Sequence, residues 1–151
     1  SSTKHQAADA YVSDKSAAIL SGVTPRQLYD IYERVREGAA FLRTLFKQSG
    51  FDLWDGKFEG ALSNSGTFIF ADSISPDELR LVGPDGKSYD KDPVRKWYEE
   101  THPIWSRSVQ QAKNAFPTDK SKWPAYVCAP PDEIVDTVVS RYRAVADALV
   151  R

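Results

Sequence analysis

The sequence predicts an α+β fold, an antiparallel hairpin or small sheet packed against several helices. Three observations carry that prediction. A long amphipathic stretch at helical spacing fills residues 24–49, two strand-like runs flank turn residues between positions 51 and 73, and helical patterns return from Asp92 to the end.

Each element follows in order. Residues 1–12 are polar and read as irregular. Ser13 is placed to cap a short helix that Gly22 ends. Thr24-Pro25-Arg26-Gln27 then opens a second helix, with Thr as the cap, Pro at the first helical position and Gln three residues after the cap. Leu28, Ile31, Val35, Ala39, Leu42 and Leu45 form its apolar stripe, and Gly50 stops it. That stripe reads as core-facing. Phe51–Glu59 and Thr67–Ser73 read as the two strands of a hairpin, with Ser63-Asn64-Ser65-Gly66 as the turn. Ser75-Pro76-Asp77 makes another turn, Leu79–Val82 a short strand, and Gly83-Pro84-Asp85-Gly86 a further turn. Asp92-Pro93 starts a helix carrying Trp97 and Tyr98; Pro103 is expected to break or kink it, with helix resuming to about Ala115. Residues 117–131 are loop. The final helix starts at Pro131-Asp132, with Ile134, Val138, Tyr142, Val145 and Leu149 as its apolar stripe.

The bulk properties exclude several functions. At 151 residues, 41% hydrophobic and 27% charged, the chain has the composition of one globular domain. A formal net charge of -1 supplies no global basic field for nucleic acid, and no basic block suits a membrane surface. No apolar run reaches transmembrane length, so a cytoplasmic protein is the default expectation. The single cysteine, Cys128, cannot make an internal disulfide, and it reads as a small buried residue with no histidine near it to activate it. His5 and His102 read as surface or loop histidines. Trp97, Trp105 and Trp123 read as packing and docking residues. The chain opens on Ser1-Ser2-Thr3-Lys4 and contains no methionine, which suits a trimmed end or a piece of a longer protein.

The charges of the hairpin stand out. Asp55, Lys57 and Glu59 share one face if residues 51–59 form one strand. A turn centred on Asn64-Ser65 sets Lys57 opposite Asp72 and brings Asp72 to that face; a slip of one residue would turn Asp72 away. Two carboxylates close together repel unless a cation neutralises them. Mg²⁺ suits such a pair, since it prefers hard oxygen ligands and keeps waters or phosphate oxygens besides. A solvated face with surface ion pairs, each worth about 0–1 kcal/mol, reads the same pattern without a ligand.

An ordered set of motifs adds to that reading. Asp55-x-Lys57-x-Glu59, then Ala71-Asp72-Ser73-Ile74-Ser75-Pro76-Asp77-x-x-Arg80-Leu81, then Tyr89-Asp90-Lys91-Asp92 resemble, in order and spacing, the SAICAR synthetase family. Ser2-Thr3-Lys4 resembles a mid-chain S-T-K of that family, and Pro130-Pro131-Asp132-Glu133-Ile134-Val135 with Arg141-Tyr142 resembles its closing helix. There are departures: the family's D-E is Asp72-Ser73 here, its E-F-G is Glu59-Gly60-Ala61, and the H-D after S-T-K is Ala8-Asp9.

The resemblance implies an ATP-dependent amide ligase of purine biosynthesis that joins aspartate to the carboxylate of CAIR through an acyl phosphate. It implies Glu59 and Asp72 as Mg²⁺ ligands, Lys57 and Asp55 as catalytic residues, Arg80 on the ribonucleotide 5′-phosphate, and Ser75, Asp77, Lys91 and Arg95 as further substrate contacts. Lys4 is implied at the cofactor, ATP. The glycine-rich nucleotide loop of the family has no counterpart here, so residues 1–151 are expected to be the C-terminal catalytic lobe, inactive without an N-terminal ATP-binding lobe as partner. Homo-oligomerisation is left open. The alternatives are a paralogous ligase for another heterocyclic carboxylate and a non-catalytic ribonucleotide-binding subunit.

Overall fold

The computed structural model describes residues 12–71, 73–116 and 119–150. Helix α1 spans Asp14–Ser21; the Ser13 side chain accepts from the Ser16 amide, and Gly22 closes the helix at φ 69°, a conformation glycine adopts without strain. Helix α2 spans Pro25–Gln48 behind a complete capping box of Thr24 and Gln27. Both helices are where local sequence rules put them.

The strands are β1 (Asp52–Gly56), β2 (Gly60–Leu62), β3 (Phe68–Phe70) and β4 (Leu79–Val82). The sequence predicts a single hairpin of residues 51–59 with 67–73. The structure instead holds two antiparallel pairs, β1 with β4 and β2 with β3. Burial explains the exchange of partner. Leu79 and Leu81 of β4 pack with Leu42 and Phe46 of α2, with Phe51, and with Val145 of the last helix, and Leu81 is completely buried. Burying a leucine of this kind contributes about 1.5–3 kcal/mol. The β2–β3 pair is mostly exposed by comparison.

Two further details correct the predicted hairpin. Gly60 faces Phe70, Ala61 faces Ile69 and Leu62 faces Phe68, so the turn centres on Ser65, and the register is one residue from the expected one. The β1–β4 ladder has a bulge between Leu53 and Asp55, which leaves Trp54 unpaired and exposed. Strand alternation therefore does not run unbroken from Phe51 to Glu59. Residues 57–59 switch the chain from one partner to the other: the Lys57 amide donates to Glu78 O at 3.0 Å, and Glu59 O accepts from the Ala71 amide at 2.9 Å.

After β4, the turn at residues 83–86 returns the chain so that Ser88 bridges Val82. Gly83 is required there, because a Cβ would lie 2.3 Å from the Tyr89 ring. Helix α3 (Asp92–Thr101) ends before Pro103, and α4 (Pro103–Ala115) follows at once. The loop beyond, with one 3₁₀ turn at Lys120–Lys122, is tied back by Trp105 Nε1 donating to Ala125 O at 2.7 Å and Tyr98 Oη donating to Cys128 O at 2.7 Å. Helix α5 (Asp132–Leu149) turns its predicted stripe inward, with Val145 in the main core. The α+β class stands. No helix among the described residues is long and apolar enough to cross a membrane.

Candidate functional site

The β1–β4 ladder gathers the charges. Asp55 stands opposite Arg80, and Arg80 Nη1 donates to Asp55 Oδ2 at 2.9 Å. Just beyond the ladder, Lys57 Nζ donates to Glu59 Oε1 at 2.7 Å and lies 3.2 Å from Glu78 Oε2. Asp55, Lys57, Glu59, Glu78 and Arg80 thus form one open patch of alternating sign. The hydrogen bond to Glu59 holds the Lys57 ammonium above the usual lysine range; desolvation opposes this, and Glu78 adds to it. Lys57 is therefore a fixed positive charge at neutral pH.

Sequence patterns do not single out Glu78, which reads as a spacer between Asp77 and Arg80. Its two-residue offset from Arg80 is the available signal, but that offset gains meaning only from the β1–β4 pairing. Ser75 and Asp77 build a compact turn: the Asp77 amide donates to Ser75 Oγ at 3.3 Å, and the Glu78 and Leu79 amides donate to Ser75 O at 3.0 and 3.1 Å. The Asp77 carboxylate accepts from Tyr142 Oη at 2.6 Å.

Lys91 and Arg95 lie at the start of α3, and Arg95 pairs with Asp92 at 3.3 Å. Between Arg80 and these two, Asp90 is a buried carboxylate whose Oδ1 accepts from Ser88 Oγ and from the Asp92 amide. It organises the chain entering α3 rather than facing solvent.

Lys4 and Asp72 lie outside the described residues, as does His5. Among the described residues, no group of three or more His, Cys, Asp and Glu is arranged to hold a metal ion. Glu59 offers a hard carboxylate oxygen of the kind Mg²⁺ prefers, and in this structure that oxygen pairs with the Lys57 ammonium.

Cys128 departs from the expectation of a buried, unactivated thiol. It is exposed, and its Sγ lies 3.3 Å from His102 Nε2. The Tyr98 hydrogen bond to Cys128 O draws the loop across the α3–α4 junction, where His102 sits, so residues remote in sequence meet. A groove between α1 and α2, lined by Lys15, Ala18, Ile19, Val23, Tyr29 and Tyr32, contains none of the candidate residues. The charged side chains that the motifs single out gather on the β1–β4 ladder instead.

The comparisons agree with the motif order. Residues 1–112 match the SAICAR synthetase family. A phosphoribosylaminoimidazole-succinocarboxamide synthase of Oceanobacillus iheyensis is 32% identical over 89 residues, 58% of this chain and 38% of that protein. One from Streptococcus pneumoniae is 30% identical over 97 residues, 64% of this chain and 41% of that protein. The chain thus spans about two-fifths of the length of these relatives.

Among solved structures, the Ehrlichia chaffeensis synthase superposes with a TM-score of 0.64 at 23% identity, covering 94% of this chain and 46% of that one. The Saccharomyces cerevisiae enzyme complexed with SAICAR gives 0.62 at 22%, covering 98% and 44%. A type-2 SAICAR synthetase in complex with ADP gives 0.54 at 23%, covering 78% and 48%. At such identities the likeness concerns the fold. The family match covers most of the chain, with the charged ladder inside it: the chain belongs to the SAICAR synthetase family.

Proposed function

We propose that this chain is part of an ATP-dependent ligase that joins aspartate to the carboxylate of CAIR to form SAICAR in purine biosynthesis. The observation that carries the reading is the β1–β4 ladder, which brings Arg80, Lys57 and three carboxylates onto one open face within a family-matched segment. In the reaction, a CAIR carboxylate oxygen attacks the γ-phosphorus of ATP and ADP leaves. The aspartate amine then attacks the acyl carbon, and phosphate leaves.

In this reading Arg80 exchanges Asp55 for the ribonucleotide 5′-phosphate, which its planar fork of donors suits. Lys57 holds the CAIR carboxylate. Glu59, with Asp72, is the candidate Mg²⁺ pair, and the metal when bound would neutralise phosphate charge. Asp55, Ser75 and Asp77 border the same wall, while Lys91 and Arg95 add positive charge beside it. Lys4 is assigned to the ATP side. A second, ATP-binding lobe is needed, a reading supported by the chain's two-fifths share of its relatives' length. The cytoplasm is the proposed location.

Calorimetric titration of the chain with SAICAR tests the site. Saturable binding, weakened tenfold or more by Arg80→Ala, is expected from loss of a charged contact. Absent binding, or equal binding by the variant, sinks the assignment. Adding the N-terminal lobe of a relative should restore CAIR- and aspartate-dependent ADP release.

A further inference from the structure

Helix α5 lies beyond the family-matched residues, yet it reaches both segments that carry candidate contacts. Two neighbouring side chains make the connection. Tyr142 Oη donates to Asp77 Oδ1 at 2.6 Å, across 65 positions of sequence. Arg141 Nη1 donates to Ser88 O at 2.6 Å, and its guanidinium lies 5.8 Å from the centre of the Tyr89 ring. Tyr89 in turn packs edge-on against Phe51 at 5.0 Å. Val145, farther along α5, is buried among Leu79 and Leu81, the strand that follows the Ser75–Asp77 turn.

We propose that Tyr142 and Arg141 form a clamp by which α5 sets the Ser75–Asp77 turn and the segment leading into α3. Asp77 is then a positioning residue, its carboxylate spent on Tyr142 rather than on substrate. The clamp spans the strand bearing Arg80. Ser75 anchors that strand's first amides, and Asp77 fixes the turn between them, so freedom at the turn passes directly to the placement of Arg80. A tyrosine suits this role, because burial and Asp77 keep its hydroxyl protonated and it remains a donor. Only the link to substrate rests on the function proposed above; the clamp itself rests on geometry.

The test uses the intact chain with Tyr142→Phe, which removes one oxygen and keeps the ring, and with Asp77→Asn. Hydrogen–deuterium exchange at the Glu78 and Leu79 amides should quicken by about tenfold in Tyr142→Phe, since the turn loses a hydrogen bond to a charged group. SAICAR affinity should fall by about fivefold in each single variant, and the double variant should lose no more than either, as expected of two residues sharing one interaction. Unchanged exchange overturns the clamp. A loss in Asp77→Asn well beyond that in Tyr142→Phe overturns the positioning role and makes Asp77 a direct contact. If the unaltered chain fails to bind SAICAR, the ligase reading falls, and the exchange result alone decides the clamp.

Discussion

Arg80 and Asp55 face each other across the bulged β1–β4 ladder and pair at 2.9 Å, with both side chains at least half exposed. An exposed pair of this kind contributes only about 0–1 kcal/mol. The fold has little need of it, and each partner can be given up to a ligand at small cost. Arg80→Ala should therefore leave urea-unfolding stability within about 1 kcal/mol of the parent. The same variant should lose SAICAR binding. A large stability loss with binding intact would mark the pair as structural.

Lys57 occupies a different position, because its ammonium is shared by two carboxylates. Glu59 and Glu78 each lie within 3.2 Å of its ammonium. Replacement by Met removes the cation that these two carboxylates share, and with it the attraction that holds the Lys57 ammonium charged in the folded chain. The ammonium's pKa is raised above the ordinary 10.5, so the stability Lys57 contributes is complete below that value and is lost as pH rises beyond it. Lys57→Met should melt below the parent at neutral pH, and the gap should narrow above about pH 10.5. Melting midpoints from neutral pH to about pH 11 check it; a gap independent of pH would mean that Glu59 and Glu78 do not hold the Lys57 proton.

Tyr142 gives its pH signature at the alkaline end. Burial, then Asp77 by hydrogen bond and charge, then Asp90, push its pKa above the ordinary 10.0. Above that value an unfolded tyrosine releases its proton while the folded one keeps it, so folding is penalised as pH rises. The contribution is complete below pH 10 and is lost above it. Tyr142→Phe should therefore show a shallower decline of urea midpoints between about pH 9 and 11 than the parent. Parallel declines would show that the hydroxyl titrates as it does in the unfolded chain.

These groups also show which parts of the molecule are legible in the sequence. The helices are, because Ser13, Thr24, Gln27, Gly22 and Pro103 act on neighbours within a few residues. The candidate ladder is half legible: Asp55, Lys57, Glu59 and Arg80 carry a motif, but which strands pair is settled by burial of Leu79 and Leu81 against α2 and α5. The bulge at Trp54 then breaks the period-two alternation on which the expected charge face relies. Glu78, Tyr142 and the meeting of His102 with Cys128 stay hidden for the same reason. Each depends on a contact between distant segments that no local pattern encodes.

The thiol of Cys128 provides the last case. It is exposed, and His102 Nε2 lies 3.3 Å from Sγ, close enough to take the proton as the sulfur attacks. Trp97 packs edge-on to the imidazole at 5.3 Å, which limits the ring's orientation. Ellman's reagent should label the native chain to one thiol without denaturant. The rate should drop by roughly tenfold in His102→Ala, because the thiol then relies on solvent to accept its proton. The variant's circular dichroism and melting midpoint separate that effect from loss of the loop that Tyr98 holds against the α3–α4 junction. Labelling only after unfolding would return Cys128 to the buried, inert residue that its neighbours Val127 and Ala129 suggest, and an equal rate in the variant would leave the imidazole without a part in it.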